Sequence, residues 1–271
     1  MTDMGGYYDR GAEQGRLADW GRLEFLRTRE LLARHLPAAP ATVLDIGGAA
    51  GAYALPLAAE GYEVHLLDPV RLHVDQARAA SAGQPGAPLA SATVGDARDL
   101  PFDQASADAV LLLGPLYHLT EAADRIRALR EARRVLRPGG LLAAAAITRF
   151  ASTLDGVAQG FLLEPGFEAI VERDLADGQH RNPDEHPGWF TTAFFHRPEE
   201  LGREVAAAGF DVTALVAIEG AVGAAAETHA LDGWLDDPGR RDVLLRAIRR
   251  VEAEPSLLGA SPHVMAVATR P

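Results

Sequence analysis

The residues best suited to chemistry begin in a glycine-rich turn, VLDIGGAAGAY at positions 43–53. An apolar run stops at Asp45, and Gly47, Gly48 and Gly51 follow within five positions. A strand that ends in such a turn and then opens a helix lets the backbone approach a ligand closely and points helix N–H groups at it. The turn therefore predicts a binding site for a nucleotide-type ligand beyond the end of a strand.

Acidic residues follow at the ends of two later apolar runs. Asp68 comes near the end of GYEVHLLDP, 17 residues after Gly51, and a carboxylate there accepts hydrogen bonds from both hydroxyls of a ribose. The alternative interpretation of Asp68 is a cap for a helix over 70–82. Asp96 directly follows the third run, in VGDARDLPF, and extends the same predicted edge.

These residues must be positioned by strands and helices that alternate along the chain. Helical spacing is found chiefly over 52–60, 70–82 and 121–136. The apolar runs that indicate buried strands are 41–46, 62–68, 89–94, 108–113 and 141–148. Such alternation is typical of a parallel α/β sheet covered on both faces. RPGG at 137–140 predicts a turn between the helix over 121–136 and the strand over 141–148.

Two regions lie outside this core. Residues 13–36 have the spacing of an amphipathic helix. Residues 149–196 are polar and aromatic, and a connection of that length in a compact domain is usually functional, so we expect a lid. Its aromatic residues either wall a substrate pocket or pack the lid on the sheet. Its histidines match no standard metal-ligand spacing. Beyond it we predict a helix, a strand, a helix and a last strand, over 197–210, 211–219, 238–253 and 263–270.

Composition limits both chemistry and partners. The chain has 271 residues, no cysteine and 26 basic residues, all of them arginine. Disulfides, thiolate nucleophiles, Schiff-base lysines and a Walker A loop are therefore excluded. A net charge of −12 argues against a broad nucleic-acid interface, so we expect a small-molecule partner. No apolar run approaches the roughly 20 residues of a membrane span, and the N-terminus lacks the order of a signal peptide. We expect a soluble cytoplasmic protein, of undetermined oligomeric state.

Over about residues 41–148 the ordered motifs resemble the class I S-adenosylmethionine-dependent methyltransferases, in the branch of the ubiquinone-biosynthesis C-methyltransferases. The resemblance is carried by the glycine turn, LLDP, GDARDLPF, LLLGPLYHL and RVLRPGG. It implies an α/β Rossmann-like fold with a mostly parallel seven-stranded sheet, helices on both faces and an inverted last strand. The N-terminal helix or lid would occupy 1–36, and the methyltransferase domain 37–271 with 149–196 as its substrate lid. The implied reaction transfers a methyl group from S-adenosylmethionine to a small organic acceptor and yields S-adenosylhomocysteine.

The same resemblance implies the contacts of the cofactor. Asp45, Gly47 and Gly51 match the motif that borders the methionine part, and Asp68 matches the ribose-binding acid. Of the remaining matches, Pro69 lines the adenine, the Asp96 side chain meets the adenine amino group, and Ala97 supplies a backbone N–H. Leu113 and Gly114 match the strand end that passes beneath the sulfonium. We expect Tyr7, with its neighbour Tyr8, to fold over the cofactor. Arg22, or in its place Arg16 or Arg29, would meet the cofactor's carboxylate; the alternative for each arginine is a solvated helix face.

One position departs from the family, because Ala49 stands where a glycine is usual. A methyl group is tolerated there if the residue has a negative φ and points away from the ligand, and otherwise cofactor affinity suffers.

Tyr117 and His118 lie just beyond the predicted fourth strand and are the catalytic candidates. An imidazole with its ordinary pKa of about 6.5 suits base chemistry near neutrality, if the acceptor must lose a proton as it reacts. The alternatives are a histidine that caps or packs against the helix over 121–136 and a tyrosine that packs. Positioning alone supplies much of the rate of such a transfer.

Other functions stay open at this point. A protein with this fold and cofactor could catalyse another reaction or act as a regulator. An NAD(P)-dependent oxidoreductase is less favoured, since GDARDLPF and RVLRPGG have no role in a dinucleotide site. The negative charge disfavours a nucleic-acid methyltransferase, and a protein acceptor is a further alternative.

Overall fold

The computed structural model describes residue 17, residues 19–183, residue 186 and residues 188–271. A seven-stranded sheet runs through this part of the chain in the order β3-β2-β1-β4-β5-β9-β8, beside a two-stranded pair, β6-β7. The strands are β1 (Thr42–Ile46), β2 (Glu63–Asp68), β3 (Ser91–Val94), β4 (Ala107–Leu112), β5 (Leu136–Ile147), β6 (Gln179–His180), β7 (Ala193–Phe194), β8 (Asp211–Ala217) and β9 (His263–Thr269).

Helices cover both faces of the large sheet. They are α1 (Arg22–His35), α2 (Ala54–Ala59), α3 (Arg71–Ala82), α4 (Pro115–His118), α5 (Ala122–Val135), α6 (Ala151–Ala158), α7 (Phe167–Asp177), α8 (Pro198–Ala207), α9 (Gly223–Glu227), α10 (Asp232–Leu235) and α11 (Pro238–Arg249). Side chains alternate along the buried strands. In β5, for example, Leu142, Ala144 and Ala146 pack into one apolar layer, whereas Leu141, Ala143 and Ala145 pack into the other. This two-sided burial explains why the strands are continuous apolar runs in the sequence.

The predicted fold class is confirmed, including the inverted last strand. β9 pairs antiparallel with both β5 and β8, and the other neighbouring pairs of the sheet are parallel. The chain leaves β1 in one direction toward β2 and β3, and in the other toward β4 and β5. A crevice forms where the strand order reverses in this way, beyond the carboxyl ends of the strands. The fold thus places the glycine turn after β1 at the expected edge.

Two predicted elements differ from the structure. The segment 137–140 is part of β5 and not a turn, because the Gly139 N–H donates to Arg270 O at 2.7 Å and continues the pairing past the end of β9. Of the predicted helix over 13–36, residues 19–21 form a turn and α1 begins at Arg22, whereas residues 13–16 lie outside the described residues. Trp20 lies before α1, 39% exposed.

The insertion (residues 149–196) has its own secondary structure, with α6, a 3-10 turn at Phe161–Leu163, α7 and the β6-β7 pair. A buried polar group connects these elements: Asp174 Oδ2 accepts from Ser152 Oγ at 2.5 Å and from His180 Nδ1 at 2.8 Å. Arg125 of α5 fixes the far end of the insertion. Its guanidinium carbon lies 3.7 Å from the ring centroid of Phe194, and it forms a bidentate pair with Glu204. No helix within the described residues is both long and apolar enough to span a membrane.

Candidate functional site

A cavity of about 1680 Å³ lies beyond the carboxyl ends of β1, β2 and β4 and extends under the insertion. Pockets for a single small ligand usually measure about 300–1,000 Å³. The volume is therefore sufficient for two molecules side by side. One part is lined by the residues after β1, β2 and β3, and the other by residues of α4, the insertion and α9.

The glycine turn forms a narrow backbone wall of this cavity. Gly47 has φ +74°, and a Cβ at this position would lie 2.7 Å from the side chain of Pro115. A Cβ at Gly48 would lie 2.6 Å from Asp45 Oδ2. Side chains are therefore excluded at both positions, and the backbone can border a bound molecule directly. Gly51, with φ +90°, packs against Leu55 behind the wall and does not line the cavity.

Ala49 lies in the same wall, and the condition of a negative φ is not met there. Its φ is 46°, in the left-handed region, which costs a non-glycine residue about 1–2 kcal/mol. The conformation places the Ala49 N–H 2.9 Å from Asp68 Oδ2, to which it donates. The sequence alone reveals an alanine in place of a glycine, but not that the backbone retains the glycine conformation.

Asp68 lies just before α3 and faces the cavity, but its side chain does not cap that helix. Its Oδ1 accepts from the Val70 N–H at 2.9 Å, just before α3, and lies 3.1 Å from His73 Nδ1. The side chain is buried and also lines the cavity. A carboxylate has about four lone-pair positions, so these donors and Ala49 leave capacity for a ribose hydroxyl at Oδ2. The contributions of Val70 and His73 were not predicted.

Asp45 lies behind the turn and not in the cavity wall. It is 1% exposed, and burial, with the nearby charge of Asp68, raises its pKa to about 7. Its Oδ2 is buried, and no described group donates a hydrogen bond to it. The Ala54 N–H, at the start of α2, donates to the Asp45 carboxylate, so Asp45 connects β1 with that helix and does not line the cavity.

The predicted adenine end lies together in the cavity wall. Pro69, Asp96 and Ala97 all line it. The Arg98 guanidinium donates to both oxygens of Asp96, at 2.6 Å from Nη2 to Oδ2, and this hydrogen bond lowers the Asp96 pKa. Arg98 also pairs with Asp124 at 2.7 Å. The sequence did not single out this ion-pair network, although DAR in GDARDLPF contains two of its three members.

Three other predicted contacts fall outside the wall or outside the described residues. Arg22 does not line the cavity, since its guanidinium is held by Asp236 at 2.7 Å and lies 3.8 Å from Asp232. Leu113 packs into the apolar layer beneath the glycine turn, whereas Gly114 lines the cavity. Arg29 does not line the cavity either, and Tyr7, Tyr8 and Arg16 lie outside the described residues.

Tyr117 and His118 stand at the junction of the two parts of the cavity. Their ring centroids are 4.7 Å apart, and Phe190 of the insertion stacks on His118 at 5.9 Å. Burial lowers the His118 pKa to about 4, against a smaller opposing effect of Asp68. The expectation of an ordinary pKa is therefore wrong, because residues distant in sequence close over the ring. At neutral pH the imidazole is uncharged.

The insertion closes the second part of the cavity with rings. Phe167 and Trp189, 5.2 Å apart, pack with Ile170 and Val171 of the insertion and line the cavity. Phe190 and Phe195 pack the insertion against Ile147 of β5. The histidines of the insertion lie in separate places. His180 contacts Asp174 at 2.8 Å, His186 lies 3.6 Å from Glu164, and His196 lies 3.2 Å from Glu204.

A group of acids at this second part was not predicted from the sequence. Asp155 of α6 and Glu227 of α9 line the cavity within hydrogen-bonding reach of each other. His263 Nδ1 lies 2.6 Å from Glu219 Oε1 nearby. These residues are far apart in the chain and follow no motif, so only the folded structure shows that they meet.

Comparisons with known proteins agree with this geometry. Residues 44–144 match the family model described as a methyltransferase domain. An uncharacterized methyltransferase of Mycobacterium tuberculosis is 39% identical over 107 residues, 40% of each chain. An O-methyltransferase of Aspergillus sclerotiorum is 34% identical over 119 residues, 44% of each chain. The chain thus spans less than half the length of the curated relatives it matches. A ubiquinone/menaquinone biosynthesis C-methyltransferase of Caulobacter matches at 51% over only 55 residues, 20% of this chain and 21% of that one, which is weak support for that branch.

Solved structures share the whole fold. The PH0226 protein of Pyrococcus horikoshii aligns with a TM-score of 0.61 over 98% of this chain and 99% of its own, at 16% identity. The cyclase SpnF aligns with a TM-score of 0.56 over 90% and 81%, at 20% identity. Residues 44–144 therefore match a methyltransferase domain, and the chain has the Rossmann-like fold of the class I methyltransferases.

Proposed function

We propose that the protein transfers a methyl group from S-adenosylmethionine to a small organic molecule and releases S-adenosylhomocysteine. The observation that carries the proposal is the size and lining of the cavity. A single space of about 1680 Å³ connects the glycine turn, Asp68 and Asp96 with an aromatic compartment under the insertion. The cofactor supplies an electrophilic methyl group, and the acceptor must approach it from the compartment.

The residues after the first three strands fit this cofactor. The turn at Gly47 leaves room only for backbone, as a bound methionine part requires. Asp68 retains acceptor capacity for the ribose, and Asp96 with the Ala97 N–H borders the place of the adenine. Gly114, with Pro115 beside it, lines the path to the second compartment.

The acceptor side works by positioning and by exclusion of water. Tyr117, His118 and Phe190 form a continuous ring surface at the junction of the two compartments. His118 has a pKa of about 4 and is uncharged at pH 7, so it is a weak proton acceptor. We therefore assign His118 the role of holding the acceptor in position, because orientation is the main source of the rate of such a transfer. The insertion (residues 149–196) is the acceptor-binding part of the domain 37–271.

A small acceptor is favoured over a macromolecule by two properties. The second compartment lies beneath the insertion, and the chain carries a net charge of −12, which repels nucleic acid.

The proposal is tested first by thermal unfolding with S-adenosylhomocysteine, with NADH as the control ligand. At 100 times its dissociation constant a ligand adds about 2.7 kcal/mol to the folded state, which we expect to raise the Tm by roughly 5 °C. A rise with NADH alone would refute the cofactor assignment. Transfer of label from methyl-labelled S-adenosylmethionine into a metabolite extract then tests the reaction. Binding of S-adenosylhomocysteine without any transfer would favour a different reaction on this fold, as in a cyclase.

A further inference from the structure

The acceptor compartment contains a pair of carboxyl groups in its wall. Asp155 lies on α6 and Glu227 at the end of α9, and the two side chains are within hydrogen-bonding reach of each other. Oδ1 of Asp155 is shielded from solvent, and no described N–H or hydroxyl group donates a hydrogen bond to it. Such a carboxylate oxygen is costly unless a proton on the pair or a bound cation compensates it. A ligand with an N–H group would remove that cost.

The charges around the pair leave it negative. Two further acids face the Asp155–Glu227 pair, Glu219 from the end of β8 and Glu24 from the start of α1. Two histidines also face the pair, His263 from the start of β9 and His180 from β6. His263 lies 2.6 Å from Glu219, and His180 lies 2.8 Å from Asp174, so each imidazole already has a carboxylate of its own.

The arginines of the cavity wall lie elsewhere. Of the described residues that line the cavity, only Arg71 and Arg98 are arginines. Arg71 begins α3, after β2, and Arg98 pairs with Asp96 and Asp124. No arginine of that wall therefore neutralises Asp155 and Glu227.

The pair holds one exchangeable proton at neutral pH. Burial, with the charge of Asp155, raises the Glu227 pKa to about 9. Burial raises the Asp155 pKa to about 6. Between these two values the pair carries one proton, and that shared proton occupies a place that another cation can take.

We propose that this pair is the recognition site for the methyl acceptor and that the acceptor is an amine, bound through its ammonium group to Asp155 and Glu227. The inference rests on the proposed function, because the pair lies in its acceptor compartment, and it specifies the substrate class. An ammonium group offers three N–H donors, which match the acceptor oxygens of the pair. The same compartment is lined by the rings of Phe161, Phe167 and Trp189. Aromatic faces attract positive charge, so these rings also favour a cation.

The test compares matched ligands on the protein saturated with S-adenosylhomocysteine. The probes are 2-phenylethylamine, 2-phenylethanol and 3-phenylpropionate, with the indole and cyclohexyl analogues of each, and binding is measured by calorimetry at pH 7.5. We expect the amine of at least one set to bind at least tenfold more tightly than its alcohol, as a charge-assisted hydrogen bond implies. Amines that bind no better than alcohols in all three sets would overturn the inference.

Variants assign the preference to the pair. Asp155→Asn should reduce the amine-to-alcohol ratio to about twofold or less. Glu172→Gln, at an exposed acid of α7 outside the cavity wall, removes one charge from the same insertion and should leave the ratio unchanged. An unchanged ratio in Asp155→Asn, or an equal loss in Glu172→Gln, would overturn the inference. A Tm rise with MgCl₂ or MnCl₂ alone that Asp155→Asn abolishes would assign the pair to a metal instead.

The shared proton gives a second readout. Because the bound ammonium replaces it, amine affinity should rise with pH between about 6 and 9, by up to tenfold per pH unit for one proton released. Glu227→Gln has no such proton, and its affinity should be flat over that range. The same rise in Glu227→Gln would contradict the mechanism. If S-adenosylhomocysteine binds but amines show no preference, only this inference fails; if it does not bind, the proposed function itself fails.

Discussion

Substitution of Ala49 by glycine tests how the cofactor turn is built. At φ 46° an alanine costs about 1–2 kcal/mol relative to a right-handed conformation. Glycine removes that cost but gains about 0.4–1 kcal/mol of entropy in the unfolded chain. The net change is a stabilisation between about 0 and 1.6 kcal/mol, which corresponds to a Tm rise of up to about 3 °C for a chain of this length. The N–H donated to Asp68 is retained, so we expect the affinity for S-adenosylhomocysteine to be equal or higher.

The measurement is thermal unfolding and calorimetric titration of Ala49→Gly beside a matched control. Ala105→Gly is the control, because Ala105 has a similar φ of 54° and lies outside the cavity wall. It should show a comparable Tm rise and no change in affinity. A Tm decrease in Ala49→Gly alone would refute the conformational argument. An affinity loss of tenfold or more would show that the alanine methyl group contacts the ligand favourably.

Three further predictions follow from the site. Asp68→Asn should weaken S-adenosylhomocysteine binding at least tenfold, because the ribose hydroxyls lose the carboxylate that accepts their hydrogen bonds. Unchanged affinity by calorimetry would mean that Asp68 serves only its hydrogen bonds with Ala49, Val70 and His73. His118→Ala should lower turnover of a known acceptor more than it raises the cofactor Kd, because the ring faces the acceptor compartment; the opposite pattern would make His118 structural. Asp45→Asn should raise the Tm at pH 8, and this advantage should shrink below pH 7 and disappear near pH 4. The folded-state pKa of Asp45 is raised to about 7, whereas the unfolded value is about 3.9. Asp45 therefore costs no stability below its unfolded pKa, and the cost of its buried charge grows as the pH rises from there to about 7. A Tm difference that is constant with pH would argue against a buried charge.

Local patterns were sufficient to predict which residues meet in one wall of the cavity. The order of strands and helices follows from hydrophobic periodicity, and Gly47, Asp68, Asp96 and Gly114 line the cavity where the motifs placed them. These residues lie at the carboxyl ends of parallel strands, so that strand order alone brings them to one edge. The role of Arg22 was not predictable in this way, because its partner Asp236 comes from a helix pair near the other end of the chain.

The acceptor end depended on contacts that no local pattern contains. The pKa of His118 is set by burial under Phe190, and the pairing of Asp155 with Glu227 requires α6 and α9 to meet. The sequence by itself thus determined the sheet, the glycine turn and the acids at the strand ends, because each is a short-range property of the chain. Only the tertiary structure decided the φ of Ala49, the neutral state of His118 and the charge of the acceptor compartment, because conformational strain, desolvation and Coulomb interactions depend on what the rest of the fold places around each group.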